Sequence, residues 1–337
     1  MYKIFVVIPN WNGEDSIKDC LKSIVKQSIK VNVIVVDNGS IDKSVEIISK
    51  NFPEVELIKN PVNRGFAGGV NQGIARAIEL GAEYVATFNN DAVAEQKFIE
   101  NLYKYLDKNK SDGIATCKLL DASGKKLDST GDYYTVWGLP YPRGRGEKEI
   151  DKYDNQTGIF AASGGASLYR TSMLNEIGYF DEDFFAYYED VDLSFRAQLA
   201  DWKVAYVPSA VAYHQIGATS SKIRGFTTYH TLKNLPQLLV KNVPRKYIFR
   251  IGSRYILTHV LFYVRAITRG NGWSAFKGDL DAAFLLTSSL SKRRAIQKNK
   301  KVSDEYIWNM IVHDLPPNAK ALRRMRGIWW QLRGKHE

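Results

Sequence analysis

The chain has 337 residues, 45% hydrophobic and 25% charged, an ordinary globular composition that can bury one large core or two smaller ones. It contains no run of 18 apolar residues, so no transmembrane helix is expected, and Cys20 and Cys117 have no metal-type spacing partner, which points to a reduced, cytosolic setting. The net charge of +11 is uneven: 222–337 carries 23 Lys and Arg against 6 Asp and Glu, whereas 1–221 is net acidic, so the basic end calls for an anionic partner.

The first residues enter an apolar strand, Lys3–Ile8, with no signal-peptide core before it. Pro9-Asn10-Trp11-Asn12-Gly13 ends that strand, and a helix follows with Ile17, Leu21, Ile24 and Val25 on one face. Val31–Val36 is a second buried strand ending in Asp37-Asn38-Gly39-Ser40; a helix and a third strand, Val55–Ile58, follow. Strand–helix alternation predicts a parallel sheet with helices on both faces and a site beyond the carboxyl ends of the strands. Asn63-Arg64-Gly65-Phe66-Ala67-Gly68-Gly69 brings glycines to a helix start, either for close approach of a ligand or for a tight turn. Tyr84–Phe88 is the fourth strand, and Asn89-Asn90-Asp91 at its end suits either a hard divalent cation carrying phosphates or a turn cap.

A helix (97–106) and a strand (113–119) come next. Residues 121–155 read as a long loop with room for a hairpin, facing the site. Short strands at Thr157–Ala162 and Ala166–Tyr169 flank Ser163-Gly164-Gly165. Residues 178–196 then interleave Asp181, Glu182, Asp183, Glu189, Asp190 and Asp192 with aromatics. Carboxylates in that company form either a site wall or the acidic first turn of a surface helix. In the first case Asp190, at a helix start after an aromatic loop, suits a general base. Lys203–Tyr206 is the last strand, and His214 falls in the polar loop after it, as a structural residue or a ligand.

From about Lys222 the pattern is helical, with stretches near 225–241, 245–268, 273–290, 303–313 and 318–333. In the second, Lys246, Arg250, Arg254, Arg265 and Arg269 form a basic stripe beside apolar residues, as in an interfacial helix or a packing helix with solvated arginines. Tyr255, Phe262, Trp273, Trp329 and Trp330 are of types favoured at a membrane interface.

Five pieces in order resemble the inverting family 2 glycosyltransferases of the GT-A type, in particular a rhamnosyltransferase-like branch of cell-surface polysaccharide assembly. They are Val35-Val36-Asp37-Asn38-Gly39-Ser40, Asn63–Asn71, Asn89-Asn90-Asp91, Phe180-Asp181-Glu182 with Glu189-Asp190-Val191-Asp192-Leu193, and His214 with Gly217 and Ser220. The resemblance covers about residues 3–221 and implies a Rossmann-like, mostly parallel GT-A catalytic domain over 1–221; residues 222–337 match only in being basic and helical, and their charge and aromatic residues suit membrane association or homo-oligomerisation. It implies that Asp37 accepts a hydrogen bond from the nucleotide base, with Pro9 and Asn12 nearby, and that Asn63 and Gly65 line the nucleotide pocket. Asn89, Gly164, Gly165 and Glu189 are assigned to the nucleotide-sugar site. Asp91 is the implied ligand of Mg²⁺ or Mn²⁺ on the diphosphate, and His214 a further ligand of the metal or of the diphosphate. Asp190 is the implied base for an acceptor hydroxyl on a glycan or a polyprenyl-diphosphate-linked glycan. Asn89 departs from the usual Asp-x-Asp motif and removes one negative ligand. The basic, aromatic end places the expected location at the inner face of the cell membrane, on anionic lipid.

Other readings account for less. A nicotinamide dehydrogenase needs G-x-G-x-x-G after the first strand, where this chain has Pro9–Gly13. A sugar nucleotidyltransferase needs a Gly-rich basic loop at the same place. A nucleic-acid binder explains the basic end and nothing before it, so no nucleic-acid partner is expected.

Overall fold

The computed structural model describes residues 3–215 and 223–317, with 319 and 323. The strands are β1 (Ile4–Asn10), β2 (Asn32–Asp37), β3 (Glu56–Lys59), β4 (Tyr84–Phe88), β5 (Ala92–Ala94), β6 (Asp112–Asp121), β7 (Leu127–Ser129), β8 (Asp132–Tyr134), β9 (Pro140–Pro142), β10 (Ala166–Arg170) and β11 (Lys203–His214). Eight of them run in the order β3-β2-β1-β4-β10-β6-β11-β5, with β7 paired to β6, and β8 and β9 form a separate hairpin. The helices up to the acidic stretch are α1 (Ile17–Val25), α2 (Ser44–Asn51), α3 (Gly65–Glu79), α4 (Phe98–Lys108), α5 (Thr171–Ile177) and α6 (Glu189–Leu199).

Alternation along β1 shows why its apolar run is continuous. Ile4, Val6 and Ile8 enter one core with α1 and α4, while Phe5 and Val7 enter another with α3. The sheet is mixed. β1 pairs in parallel with β2 and β4, but β10 lies antiparallel between β4 and β6. No crossover helix precedes β10; it follows the turn Ser163-Gly164-Gly165, which sends it back along β4.

Two local readings are corrected here. Thr157–Ala162 makes isolated bridges (Gly158 to Ala205, Ala161 to Asp132) instead of a strand. β11 does not stop at Tyr206: its register on β6 shifts between Val207 and Val211 and pairing resumes to His214. Pro208 lacks the N–H a ladder needs and falls within this irregularity. His214 is therefore a strand-end residue, held beside Asp121, with β5 on its other side.

The basic region forms α7 (Phe226–Asn242), α8 (Arg245–Thr268), α9 (Gly272–Phe284), α10 (Leu286–Lys298) and α11 (Asp304–Met310). The helix expected over 273–290 breaks at Leu285, and the one over 303–313 ends at Met310, where Val312 bridges to Thr135. The helix expected at 318–333, with Trp329 and Trp330, lies outside the described residues. α7 and α8 share a core with Tyr134, Phe160, Phe184 and Phe195, so these helices pack onto the acidic stretch.

Candidate active site

A cavity of about 740 Å³ opens beyond the ends of β1 and β4. Its wall includes Pro9, Asn63, Gly65, Asn89, Asp91, Gly164, Gly165, Glu189, Asp190 and His214, so one cavity gathers most of the expected site residues. Two glycines are there because nothing larger fits. A Cβ on Gly65, which has φ +72°, would stand 2.4 Å from the Phe185 carbonyl oxygen, and one on Gly165 would stand 2.6 Å from Asn89 Nδ2.

Asn12 and Asp37 are not in that wall. Asp37 is buried behind it, where Oδ1 accepts from Asn10 Nδ2 (2.9 Å) and Oδ2 from the Ser40 N–H (3.0 Å). Asn12 ties the same loops together: its N–H donates to Ser40 Oγ, and its Oδ1 accepts from the Ile41 N–H. Asn10 and Asn38 take their places in the wall. An Asn-rich strand end was the only signal for them.

Glu182 pairs with Arg64 at 3.2 Å, and the other five carboxylates of the acidic stretch divide into two groups. Asp181, Asp183 and Asp192 face the basic helices. Lys241 on α7 pairs with Asp181 and, at 2.7 Å, with Asp192; Lys292 on α10 lies 2.6 Å from both Asp181 and Asp183; Arg196 is 2.9 Å from Asp192. Burial alone would raise the carboxyls of Asp181 and Asp192, but the Lys241 charge outweighs it and holds both below the usual range. Glu189 and Asp190 turn to the cavity instead.

Asp190 Oδ2 accepts from the Gly164 N–H (2.8 Å) and Oδ1 from the Val191 N–H (2.8 Å). Burial lifts its carboxyl above the usual range, against these two bonds. Glu189 Oε2 and Asp132 Oδ1 are buried with no hydrogen-bond partner among the described residues. Burial and the neighbouring Asp190 charge push both of those carboxyls well up. The group that keeps its N–H donors is the one best able to carry the shared negative charge.

The loop before Asp190 is strained. Phe185, Tyr187 and Tyr188 have φ of 64°, 69° and 70°, which costs non-glycine residues about 1–2 kcal/mol each. Asn234 Nδ2 on α7 donates to the carbonyls of Phe184 (3.0 Å), Ala186 (2.8 Å) and Tyr187 (2.9 Å), and Phe185 stacks on His230.

Elsewhere in the cavity wall, His214 Nε2 is 3.2 Å from Asp91 Oδ1, and Nδ1 is 2.7 Å from Asp128 Oδ2. Burial would lower the imidazole pKa, but Asp128 and Asp91 together push it up to about 9. The Nε2–Oδ1 separation is close to the edge of about 3 Å between neighbouring ligands of an octahedral ion held at about 2.1 Å. Asp128 on the far ring nitrogen is the partner that orients a metal-binding imidazole. The described residues contain no cluster of three His, Cys, Asp or Glu for a metal, so further ligands would come from a bound diphosphate or water. Asp128, Asp132 and Arg145, which pairs with Asp128 at 2.9 Å, were missed because they lie in the stretch read as loop. Gly217 and Ser220 lie outside the described residues.

Residues 5–178 match the model of the family described as Glycosyl transferase family 2. The chain is similar to N-acetylglucosaminyl-diphospho-decaprenol L-rhamnosyltransferase of Mycobacterium tuberculosis, 28% identical over 205 residues that make up 55% of this chain and 66% of the relative. It is also similar to the low-salt glycan biosynthesis hexosyltransferase Agl10 of Haloferax volcanii, 25% identical over 217 residues, 62% of this chain and 66% of that one. The chain thus spans just under two thirds of the length of these relatives. Among solved structures it resembles mannosyltransferase PcManGT from Pyrobaculum calidifontis in complex with GDP-Man and Mn²⁺, with TM-score 0.54 at 15% identity over 92% of this chain and 86% of that one. It also resembles S. aureus TarS 1-349 in complex with UDP-GlcNAc, with TM-score 0.55 at 16% identity over 93% and 94%. At these identities the structural likeness shows the fold.

Proposed function

The chain belongs to glycosyl transferase family 2, with a GT-A fold, and on that premise we propose that it transfers a sugar from a nucleoside diphosphate to an acceptor hydroxyl with inversion. The observation that carries this is the placement of Asp190: a half-buried carboxylate in the wall of the cavity that also holds Asp91 and His214, with its charge favoured over those of Glu189 and Asp132.

In this reading Asp190 takes the proton of the acceptor hydroxyl. The oxygen attacks the anomeric carbon as the bond to the nucleoside diphosphate breaks on the opposite face, so a single base suffices. Asp91 and His214 would hold Mg²⁺ or Mn²⁺, which neutralises charge developing on the departing diphosphate. Asn63 and Gly65 line the nucleotide end, Asn89, Gly164 and Gly165 the sugar-diphosphate end, and Glu189 the sugar. The Asp37 carboxylate is buried and bonded by Asn10 and Ser40, so to receive a base N–H it exchanges its bond from Ser40. Relatives that carry rhamnose or hexoses make these the first donors to try.

The acceptor is a glycan or a lipid-linked glycan. No described helix is long and apolar enough to cross a membrane. α8 and α9 would supply a peripheral contact: Ile256, Val260 and Ile267 on α8, and Trp273 and Phe284 on α9, are exposed. α8 carries five Lys and Arg, and no acidic residue. Tyr255, in contrast, is buried, and Phe262 packs inward. Release of nucleoside diphosphate from a panel of UDP-, TDP- and GDP-sugars with Mn²⁺ tests the reading. Turnover of one donor supports it, and none across the panel, with acceptor present, refutes it.

A further inference from the structure

A second cavity, of about 340 Å³, opens beside the first, and Pro140, Tyr188 and Thr227 line both. Tyr188, in the wall that the two cavities share, stands two residues before Asp190. One part of the wall is apolar, with Leu232, Leu235 and Phe262; the rest is polar, with Thr228, Thr231, Asn271 and two arginines, Arg265 and Arg269.

The arginines are the informative feature. They stand one turn apart at the end of α8, both exposed, and no ion pair to either is found among the described residues. Elsewhere on this helix, Lys246 pairs with Glu305, and Arg250 stacks over Trp308. Two like charges one helical turn apart repel, and an anion between them removes that cost. Planar guanidinium groups suit phosphate oxygens, which they hold with paired hydrogen bonds. The donor's own diphosphate is already accounted for by the pair Asp91 and His214 in the first cavity, so this charge is left for another molecule.

Apolar surface lies beside these charges within the cavity, where Leu232, Leu235 and Phe262 share the wall with Arg265 and Arg269. A ligand for this place therefore has an anionic head for the arginines and an apolar segment for those three side chains.

We propose that the second cavity binds the diphosphate of a lipid-linked acceptor through Arg265 and Arg269, with the start of its tail against Leu232, Leu235 and Phe262 and its sugar reaching past Tyr188 to Asp190. This rests on the sugar-transfer reading for the sugar's direction, whereas the diphosphate site stands on the cavity itself.

The test is equilibrium binding to the full chain with the first cavity saturated by UDP and Mn²⁺. The probes are farnesyl diphosphate, farnesol and inorganic pyrophosphate, below the micelle concentration of the lipid. Farnesyl diphosphate is expected to bind at least tenfold more tightly than either of the other two, and the Arg265→Gln/Arg269→Gln variant to lose at least tenfold. Arg294→Gln, on the exposed side of α10, is the control for charge alone. Far-ultraviolet circular dichroism checks that each variant is folded. Equal binding of farnesol, or full affinity in the double variant, overturns the proposal. Pyrophosphate binding as tightly as farnesyl diphosphate overturns the lipid assignment and leaves a free anion site. A chain that shows the arginine-dependent binding yet releases no nucleoside diphosphate from any donor separates failure of the transferase reading from failure of this one.

Discussion

Asn234 Nδ2 on α7 donates to the Tyr187 carbonyl at 2.9 Å, two residues before the carboxylate pair that faces the cavity. The same amide reaches the carbonyls of Phe184 and Ala186, so one side chain of the basic region holds a loop with three left-handed, non-glycine residues. Asn234→Leu removes the clamp while keeping volume. The expected result is a kcat at least tenfold lower with nucleoside diphosphate still bound. Unchanged kcat in a folded variant shows that the loop holds its shape without α7.

Asp190→Asn keeps the shape of the side chain and an oxygen for the Gly164 N–H, and removes proton-accepting ability. Transfer should fall by about 10²–10⁴, the usual worth of a general base, with nucleotide affinity preserved. Near wild-type turnover in steady-state assays moves the role to Glu189 or Asp132.

Chelation by EDTA should stop transfer, and Mn²⁺ or Mg²⁺ should restore it. Asp91→Ala should weaken nucleoside diphosphate binding more with metal than without. Asp128→Asn, which loosens the His214 ring, should raise the metal concentration for half-maximal activity by about 10–100-fold. Calorimetric titrations that give one affinity with and without metal show instead that protein cations hold the diphosphate.

Lys241 is buried between Asp181 and Asp192, so removing it leaves uncompensated charge. Lys241→Met should cost about 3–5 kcal/mol at pH 7. The two carboxyls are depressed in the folded state, so their contribution is present above the unfolded carboxylate pKa near 4 and fades as pH falls through the lower folded values. Urea melts should therefore show a wide gap between wild type and variant at pH 7 that narrows below about pH 4. A gap that does not change with pH assigns the loss to packing.

Vesicle sedimentation tests the outer face of α8 and α9. Binding should require anionic lipid, weaken with salt, and drop when Arg250, Arg254, Arg265 and Arg269 become Gln, since each such charge contributes about 1 kcal/mol near an anionic leaflet. Protein left in the supernatant at low salt, with concentration-dependent dimers in solution, makes the face a contact between two copies.

The order of strands and helices from β1 to β4 was legible along the chain, and so were the polar segments at strand ends that line the cavity. These are local properties. β1 and β2 read as strands because a strand buried on both faces is a continuous apolar run, and Asn89-Asn90-Asp91 reads as a strand end because polar residues cannot continue one. The partner of each carboxylate, by contrast, comes from the fold. Asp181 and Asp190 look alike along the chain, yet one pairs with Lys292, 111 residues away, and the other with the Gly164 N–H. His214 gains its partner from Asp128, 86 residues earlier, in a stretch without periodicity. Charge is neutralised or kept free by whatever folding brings within a few ångströms, and the spacing of two residues along the chain carries no trace of that distance.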